Sequence, residues 1–308
     1  MQMNWRGVMP ATTTAFDEDL KVDHAFVAKH AGWLIDNGCT AIIAPGSLGE
    51  SATLTLDEKL ALWSTLVIAV GDRVPVVAAI ASLSTSEAVA LAQRAAGAGC
   101  KGLMVLPPYV YRSDWREMKA HVEAVLRATK LSCMLYNNPV AYGTDFLPEQ
   151  IRELAAEHEN LAAVKESSTD VRRITWIKEL TGDRLEISVG VDDAIVEGVA
   201  AGAVGWVAGL VNALPRESVA LFNYALNGEH EKARELYYWF LPLLRMDTVP
   251  KFVQLIKLVQ EEVGMGSARV RPPRLELSGE ELDDARRVIR HVLETRIELS
   301  TSFAARNP

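Results

Sequence analysis

The sequence predicts an α/β protein, a closed (β/α)8 TIM barrel followed by a C-terminal extension of three helices. Short apolar runs of β-branched character alternate with amphipathic helical patterns, and eight such units follow one another without a long interruption. Runs that are apolar on both faces suit a parallel sheet covered by helices. The units occupy roughly 220 residues, near the usual size of about 250 for such a barrel. The first run ends in Thr12-Thr13-Thr14-Ala15-Phe16, without the G-x-G-x-x-G turn that often follows the first strand of a doubly wound open sheet.

Strands are expected over 7–13, 40–45, 75–81, 101–106, 131–136, 161–165, 185–189 and 203–208. Helices are expected near 23–37, 57–70, 84–98, 114–129, 148–157, 171–180, 192–200 and 214–227. Thr55-Leu56-Asp57-Glu58 and Ser84-Thr85-Ser86-Glu87 pair a capping hydroxyl with an acid three residues on, the signature of a helix start. Asn37-Gly38, Ala98-Gly99 and Asn227-Gly228 read as helix ends. Three further helices follow near 229–244, 249–263 and 278–293, so the barrel is assigned to 1–228 and the extension to 229–308. Segment 235–244 is rich in large apolar groups and is expected to pack on the barrel or on another subunit. The tail over 299–308 is expected to be disordered.

Composition bounds the function. The chain is 49% apolar and 23% charged, with a formal charge of −8 and no basic stripe, which argues against nucleic acid. No run reaches the ~18 apolar residues that span a bilayer, and Met1-Gln2-Met3-Asn4-Trp5-Arg6 has no apolar leader pattern. No membrane partner is expected, and the protein is read as cytoplasmic. Cys39, Cys100 and Cys133 are widely spaced with no CxxC, which argues against a disulfide framework or a structural zinc site. Cys133 lies in an apolar run and reads as packing.

In a (β/α)8 barrel, chemistry sits at the C-terminal ends of the strands. Leu161-Ala162-Ala163-Val164 ends at Lys165, and it is the only one of eleven lysines to end an apolar strand. Burial there favours the neutral amine, which is a nucleophile towards carbonyls. A plain salt bridge with Glu166 is the alternative. Lys257 lies on an apolar helix, where its stem is expected to snorkel. Tyr136 ends the preceding strand; packing is the commoner role for such a residue, but beside Lys165 a phenol can relay protons. Gly46-Ser47-Leu48-Gly49-Glu50 follows the second strand. It is either a plain βα turn or a cradle of N–H groups and the Ser47 hydroxyl for a carboxylate. All six histidines fall in helical patterns, and Asp192 and Asp193 lack a third partner, Asp192 reading as a helix N-cap. No metal site is expected.

Together these motifs resemble the dihydrodipicolinate synthase and N-acetylneuraminate lyase family of class I barrels. Ser47 and Leu48 stand in its GTTGE-type carboxylate loop. Leu135-Tyr136-Asn137-Asn138-Pro139 is similar to its YNxP motif, Val164-Lys165-Glu166-Ser167-Ser168 to its Schiff-base segment, and Gly190 to Asp193 to its GxDD turn. The resemblance implies that Lys165 forms an imine with a 2-keto acid, that Tyr136 moves protons, and that Ser47, Leu48 and Gly190 contact substrate. It implies a homotetramer and no cofactor, the lysine imine being the electron sink.

Two departures matter. The arginine that grips aspartate semialdehyde in the synthases is replaced by Ala141, and the relay tyrosine reaching a neighbouring subunit falls on Val110, leaving Tyr111 or Tyr109 to substitute. Asn4-Trp5-Arg6-Gly7-Val8, the Tyr136–Pro139 run and Arg271-Pro272-Pro273-Arg274-Leu275 resemble the 1-pyrroline-4-hydroxy-2-carboxylate deaminase branch, which serves hydroxyproline breakdown. That branch implies a small 2-keto or 2-imino acid, deaminated to 2-oxoglutarate semialdehyde and ammonia. The alternatives are a dehydratase or aldolase of a 2-keto-3-deoxy sugar acid, a dihydrodipicolinate synthase, and a metabolite-binding barrel without catalysis.

Overall fold

The computed structural model describes residues 3–109 and 111–299. Eight parallel strands run in sequence: β1 (Gly7–Pro10), β2 (Ile42–Ala44), β3 (Val76–Ile80), β4 (Gly102–Val105), β5 (Ser132–Asn137), β6 (Leu161–Glu166), β7 (Glu186–Val189) and β8 (Gly205–Ala208). From β2 onward each pairs with the next, and β8 pairs with β1. The remaining edge is joined by Thr40 N–H to Val8 O and Thr12 N–H to Ile43 O, both 2.9 Å, so the sheet closes into a barrel.

The strands read as continuous apolar runs because their alternate residues serve two cores. Val8, Ile42, Ala78, Leu103, Leu135 and Val164 face the outer helices. Met9, Ile43, Val77, Met104, Met134 and Ala163 fill the barrel. Each Val, Leu, Ile or Met among them contributes about 1.5–3 kcal/mol of hydrophobic burial. The same alternation turns Tyr136, two residues after Met134, and Lys165, two after Ala163, into the barrel.

Helices alternate with the strands: α1 (His24–Asp36), α2 (Leu56–Val70), α3 (Thr85–Gly97), α4 (Trp115–Arg127), the short α5 (Pro139–Tyr142), α6 (Pro148–Glu157), α7 (Arg172–Thr181), α8 (Ile195–Ala200) and α9 (Pro215–Leu226). Both expected starts form: Thr55 and Glu58 make a reciprocal capping box, and the Ser84 side chain accepts from Glu87 N–H. Gly38, Gly99 and Gly228 take the positive φ expected at helix ends. The helix α5 was not expected. Pro139 opens it, and Asn138 caps it by accepting from Ala141 N–H at 2.9 Å.

The extension comprises α10 (His230–Leu244), α11 (Phe252–Glu262) and α12 (Gly279–Glu294). Leu236, Tyr237, Phe240, Leu243 and Leu244 of α10 are buried against the rest of the chain. A 3-10 turn over Arg245–Asp247 carries the chain from α10 across the barrel mouth. Lys257 of α11 does not snorkel. It is buried, and its ammonium pairs with Glu50 Oε1 at 2.6 Å and donates to Arg269 O at 2.6 Å. Glu50 Oε2 accepts from Arg271 N–H at 2.9 Å, so one carboxylate ties the β2 loop to two points of the extension. All three cysteines are free and buried. The expected disordered tail lies outside the described residues, apart from residue 299. Among the described residues no helix is long and apolar enough to cross a membrane.

Candidate active site

At the C-terminal ends of the strands lies a cavity of about 500 Å³. Lys165, Tyr136, Ser47, Leu48 and Gly190 all line it. Lys165 and Tyr136 are register partners on β6 and β5, and Lys165 Nζ sits 4.2 Å from the Tyr136 ring centroid. The salt bridge to Glu166 does not form. The Glu166 carboxylate instead accepts from Asn137 Nδ2 at 3.1 Å and from Ser168 N–H at 2.7 Å. Lys165 has no ion pair among the described residues. Burial lowers its pKa to about 8, against the opposing pull of the Asp247 and Asp192 carboxylates. About a tenth of the amine is therefore neutral at pH 7, far more than for an ordinary lysine.

The YNNP run divides its labour. Asn137 is scaffold: its side chain accepts from Phe146 N–H at 3.0 Å and donates to Glu166, locking the loop after β5. Asn138 Nδ2 donates to the Tyr136 hydroxyl at 3.0 Å while its oxygen caps α5. Burial pushes the Tyr136 phenol up to about 12, partly offset by the Asn138 hydrogen bond. Tyr136 therefore stays a phenol, able to donate a proton and poor at holding none.

Gly190 makes room. A Cβ there would overlap Ser167 Oγ and stand 2.5 Å from Lys165 Cε. In the β2 loop, Gly49 is needed because a Cβ would stand 2.8 Å from Thr12 O. The neighbouring Leu48 N–H makes no hydrogen bond among the described residues and is free for an anion. Ser47 Oγ is in contact with the Tyr142 hydroxyl. After β1, Thr14 braces this loop by donating to Gly49 O at 2.6 Å, and Thr13 donates to Gln260 Oε1 of α11 at 2.8 Å.

The candidate relay tyrosines stand outside this chain's own cavity, as groups reaching a neighbouring subunit would. Neither Tyr109 nor Tyr111 lines the cavity, and Tyr111 is 54% exposed. Tyr109 packs behind Tyr142 with the rings tilted and 5.6 Å apart, and Tyr142, which sequence reasoning did not single out, occupies the cavity wall edge-on to Tyr136 at 5.8 Å. Val110 lies outside the described residues. Asp192 does not cap its own turn. Its buried carboxylate accepts from Trp206 Nε1 at 2.9 Å and from the N–H groups of Gly209 and Leu210, capping the 3-10 turn after β8.

Two charged residues of the cavity also escaped the sequence reading, and both come from the extension. Asp247, on the turn after α10, lines the cavity beside Gly209. Arg274, on the loop before α12, lines it near Tyr142, whose phenol it pulls down against the larger upward push of burial. Neither side chain has a hydrogen bond or ion pair among the described residues. Val140 and Ala141 are exposed at the mouth. No guanidinium stands at position 141.

A lysine at the end of β6 of a (β/α)8 barrel, beside a phenol and facing an anion loop, defines a class I lyase. The profile of the dihydrodipicolinate synthetase family matches residues 4–292, and the chain belongs to that family. A 4-hydroxy-tetrahydrodipicolinate synthase of Natronomonas pharaonis is 37% identical over 240 residues, covering 78% of this chain and 81% of that protein. The synthase of the same name from Haloarcula marismortui is 32% identical over 98% of both chains. Among solved structures, a dihydrodipicolinate synthase of Bacillus anthracis superposes with a TM-score of 0.90 at 30% identity, over 94% of this chain and 99% of that one. A prophage protein of the family from E. coli K12, in complex with pyruvate, gives 0.88 at 25% identity, over 94% and 99%.

Proposed function

We propose that the neutral amine of Lys165 attacks the carbonyl carbon of a small 2-keto acid whose carboxylate is held by Leu48 N–H and Ser47 Oγ. The observation that carries this reading is the unpaired Lys165 ammonium site over the Tyr136 ring, inside a cavity that opens on the β2 loop. Tyr136 moves a proton from the attacking nitrogen to the carbonyl oxygen, giving a carbinolamine. Loss of water gives the iminium, which withdraws electrons from the neighbouring carbon. The prophage relative in complex with pyruvate supports a small keto acid as ligand.

The next step has two readings. The names of the relatives support the synthase reading, in which the enamine condenses with aspartate semialdehyde, over deamination. Arg274 supports it further, because it supplies the cavity with a guanidinium that Ala141 does not. One observation favours the second reading, deamination of 1-pyrroline-4-hydroxy-2-carboxylate: Ala141, with Val140, leaves the mouth apolar where the synthases carry their arginine. Both readings are compatible with a homotetramer and with a barrel over 1–228 and an extension over 229–308.

Two assays on one preparation separate them. Condensation of pyruvate with aspartate semialdehyde, without ammonia release from the hydroxypyrroline acid, is expected of a synthase. Ammonia release without condensation supports the deaminase. Turnover of a 2-keto-3-deoxy sugar acid alone contradicts both.

A further inference from the structure

We propose that Asp247 is an additional catalytic residue of this site, the carboxyl group that drives water from the carbinolamine and then removes the proton from substrate C3. The proposal rests on the Schiff-base reading above. Three observations carry it. Asp247 lines the cavity that holds Lys165 and Tyr136, and among the described residues its carboxyl has no partner that would explain its presence. It is packed so closely on the end of β8 that a Cβ on Gly209 would overlap Oδ1. Its charge reaches both reactive groups, raising the pKa of Lys165 and of Tyr136.

The charged surroundings suit the task. Lys165, Asp192 and Asp193 face Asp247, and Arg245 stands 3.9 Å from Asp193. Burial and the Asp192 carboxylate raise Asp247 well above the usual carboxylate range, opposed by Lys165. The proposed cycle starts from the form with a neutral Lys165 amine and a protonated Asp247. Its proton passes to the carbinolamine hydroxyl, the C–O bond breaks, and water leaves. The products are an iminium cation and the Asp247 carboxylate, two charges that stabilise each other in a shielded site. The carboxylate then takes a proton from C3. The C–H electron pair forms the C2=C3 bond, and the pair of the C=N bond moves to nitrogen. A neutral enamine and a protonated Asp247 result, and the cycle needs no other reactant. Tyr136, held as a phenol, is poorly matched to that second transfer.

The test uses pyruvate as probe. Exchange of its methyl protons in deuterium oxide, followed by NMR, reads C3 deprotonation, and borohydride trapping reads the imine. Wild type should do both. Asp247→Asn should still trap pyruvate on Lys165 to completion, more slowly, while methyl exchange falls roughly 10²-fold or more. Asp247→Glu should recover part of the exchange, and both variants should melt as wild type does. Wild-type exchange rates in Asp247→Asn, with trapping intact, overturn the role of Asp247 alone. No trapping and no exchange in wild type overturn the Schiff-base reading beneath it.

Discussion

The ends of β5 and β6 and the turns of the C-terminal extension both line the cavity, but they reach it by different means. Tyr136 and Lys165 are placed by hydrogen-bonded register between neighbouring strands, with side-chain direction set by the alternation of a strand. Asp247 and Arg274 arrive on irregular turns, and their positions depend on where α10, α11 and α12 dock. The docking is specified in part by one buried pair, Lys257 with Glu50. On the proposed reading the strand ends carry the covalent step, while the extension brings Asp247 and Arg274 to the same cavity. The comparison teaches that groups fixed by strand register and groups that depend on the docking of the extension meet in one cavity, and that the two can be perturbed separately.

If that division holds, the largest effect on turnover comes from the strand ends. Tyr136→Phe should leave the melting temperature within a few degrees and lower turnover by roughly 10²–10⁴-fold. A variant within twofold of wild type would make Tyr136 a packing residue and move proton transfer to the extension.

The joint between the two regions comes next. Glu50→Gln leaves the Lys257 ammonium buried without its counter-charge and weakens the bond to Arg271 N–H. Loss of one partner of such a pair costs about 3–5 kcal/mol, measured by denaturant unfolding. A loss under about 1 kcal/mol, typical of surface pairs, would show that the extension docks by apolar packing alone.

The smallest effect tests selection. Arg274→Ala should raise KM for the productive substrate by about tenfold or more, the loss expected for one charged hydrogen bond. The extent of borohydride trapping with pyruvate, which carries a single carboxylate, should stay the same. Equal losses on both would place Arg274 in the common carboxylate site beside Ser47.

The sequence was informative where structure is periodic. Eight apolar runs, their polar ends and the capping boxes at Thr55 and Ser84 specify the barrel and point at Lys165 and Tyr136, because a barrel converts strand order into spatial order. The extension offers no such rule. Met246-Asp247-Thr248 reads like any polar turn, and nothing local says that it crosses the barrel mouth. Arg274 stood in the quoted Arg271–Leu275 run, yet its neighbour Arg271 is spent on structure, bonding Leu20 O and the Glu58 carboxylate. Which arginine faces the cavity is decided by a fold-back over more than 200 positions of sequence. Tyr142 was obscured for a related reason. The short helix α5 that aims it at Ser47 is a single turn, too brief to leave a periodic signal. Lys257 was misjudged because its partner, Glu50, lies far away in sequence.

The central claim is that Lys165 is the electrophile-capturing amine, and one measurement addresses it directly. The protein is incubated with pyruvate, reduced with borohydride and digested, and the modified peptide is located by mass spectrometry across a pH series. The adduct should map to Lys165 and be absent from Lys165→Ala. Because the neutral amine attacks and its pKa is lowered to about 8, the initial trapping rate should fall about tenfold per pH unit below that point and level off above it. Removing the Asp247 charge, which raises the Lys165 pKa, should move the inflection to lower pH. An adduct on another lysine, or one formed equally well in Lys165→Ala, would contradict the account.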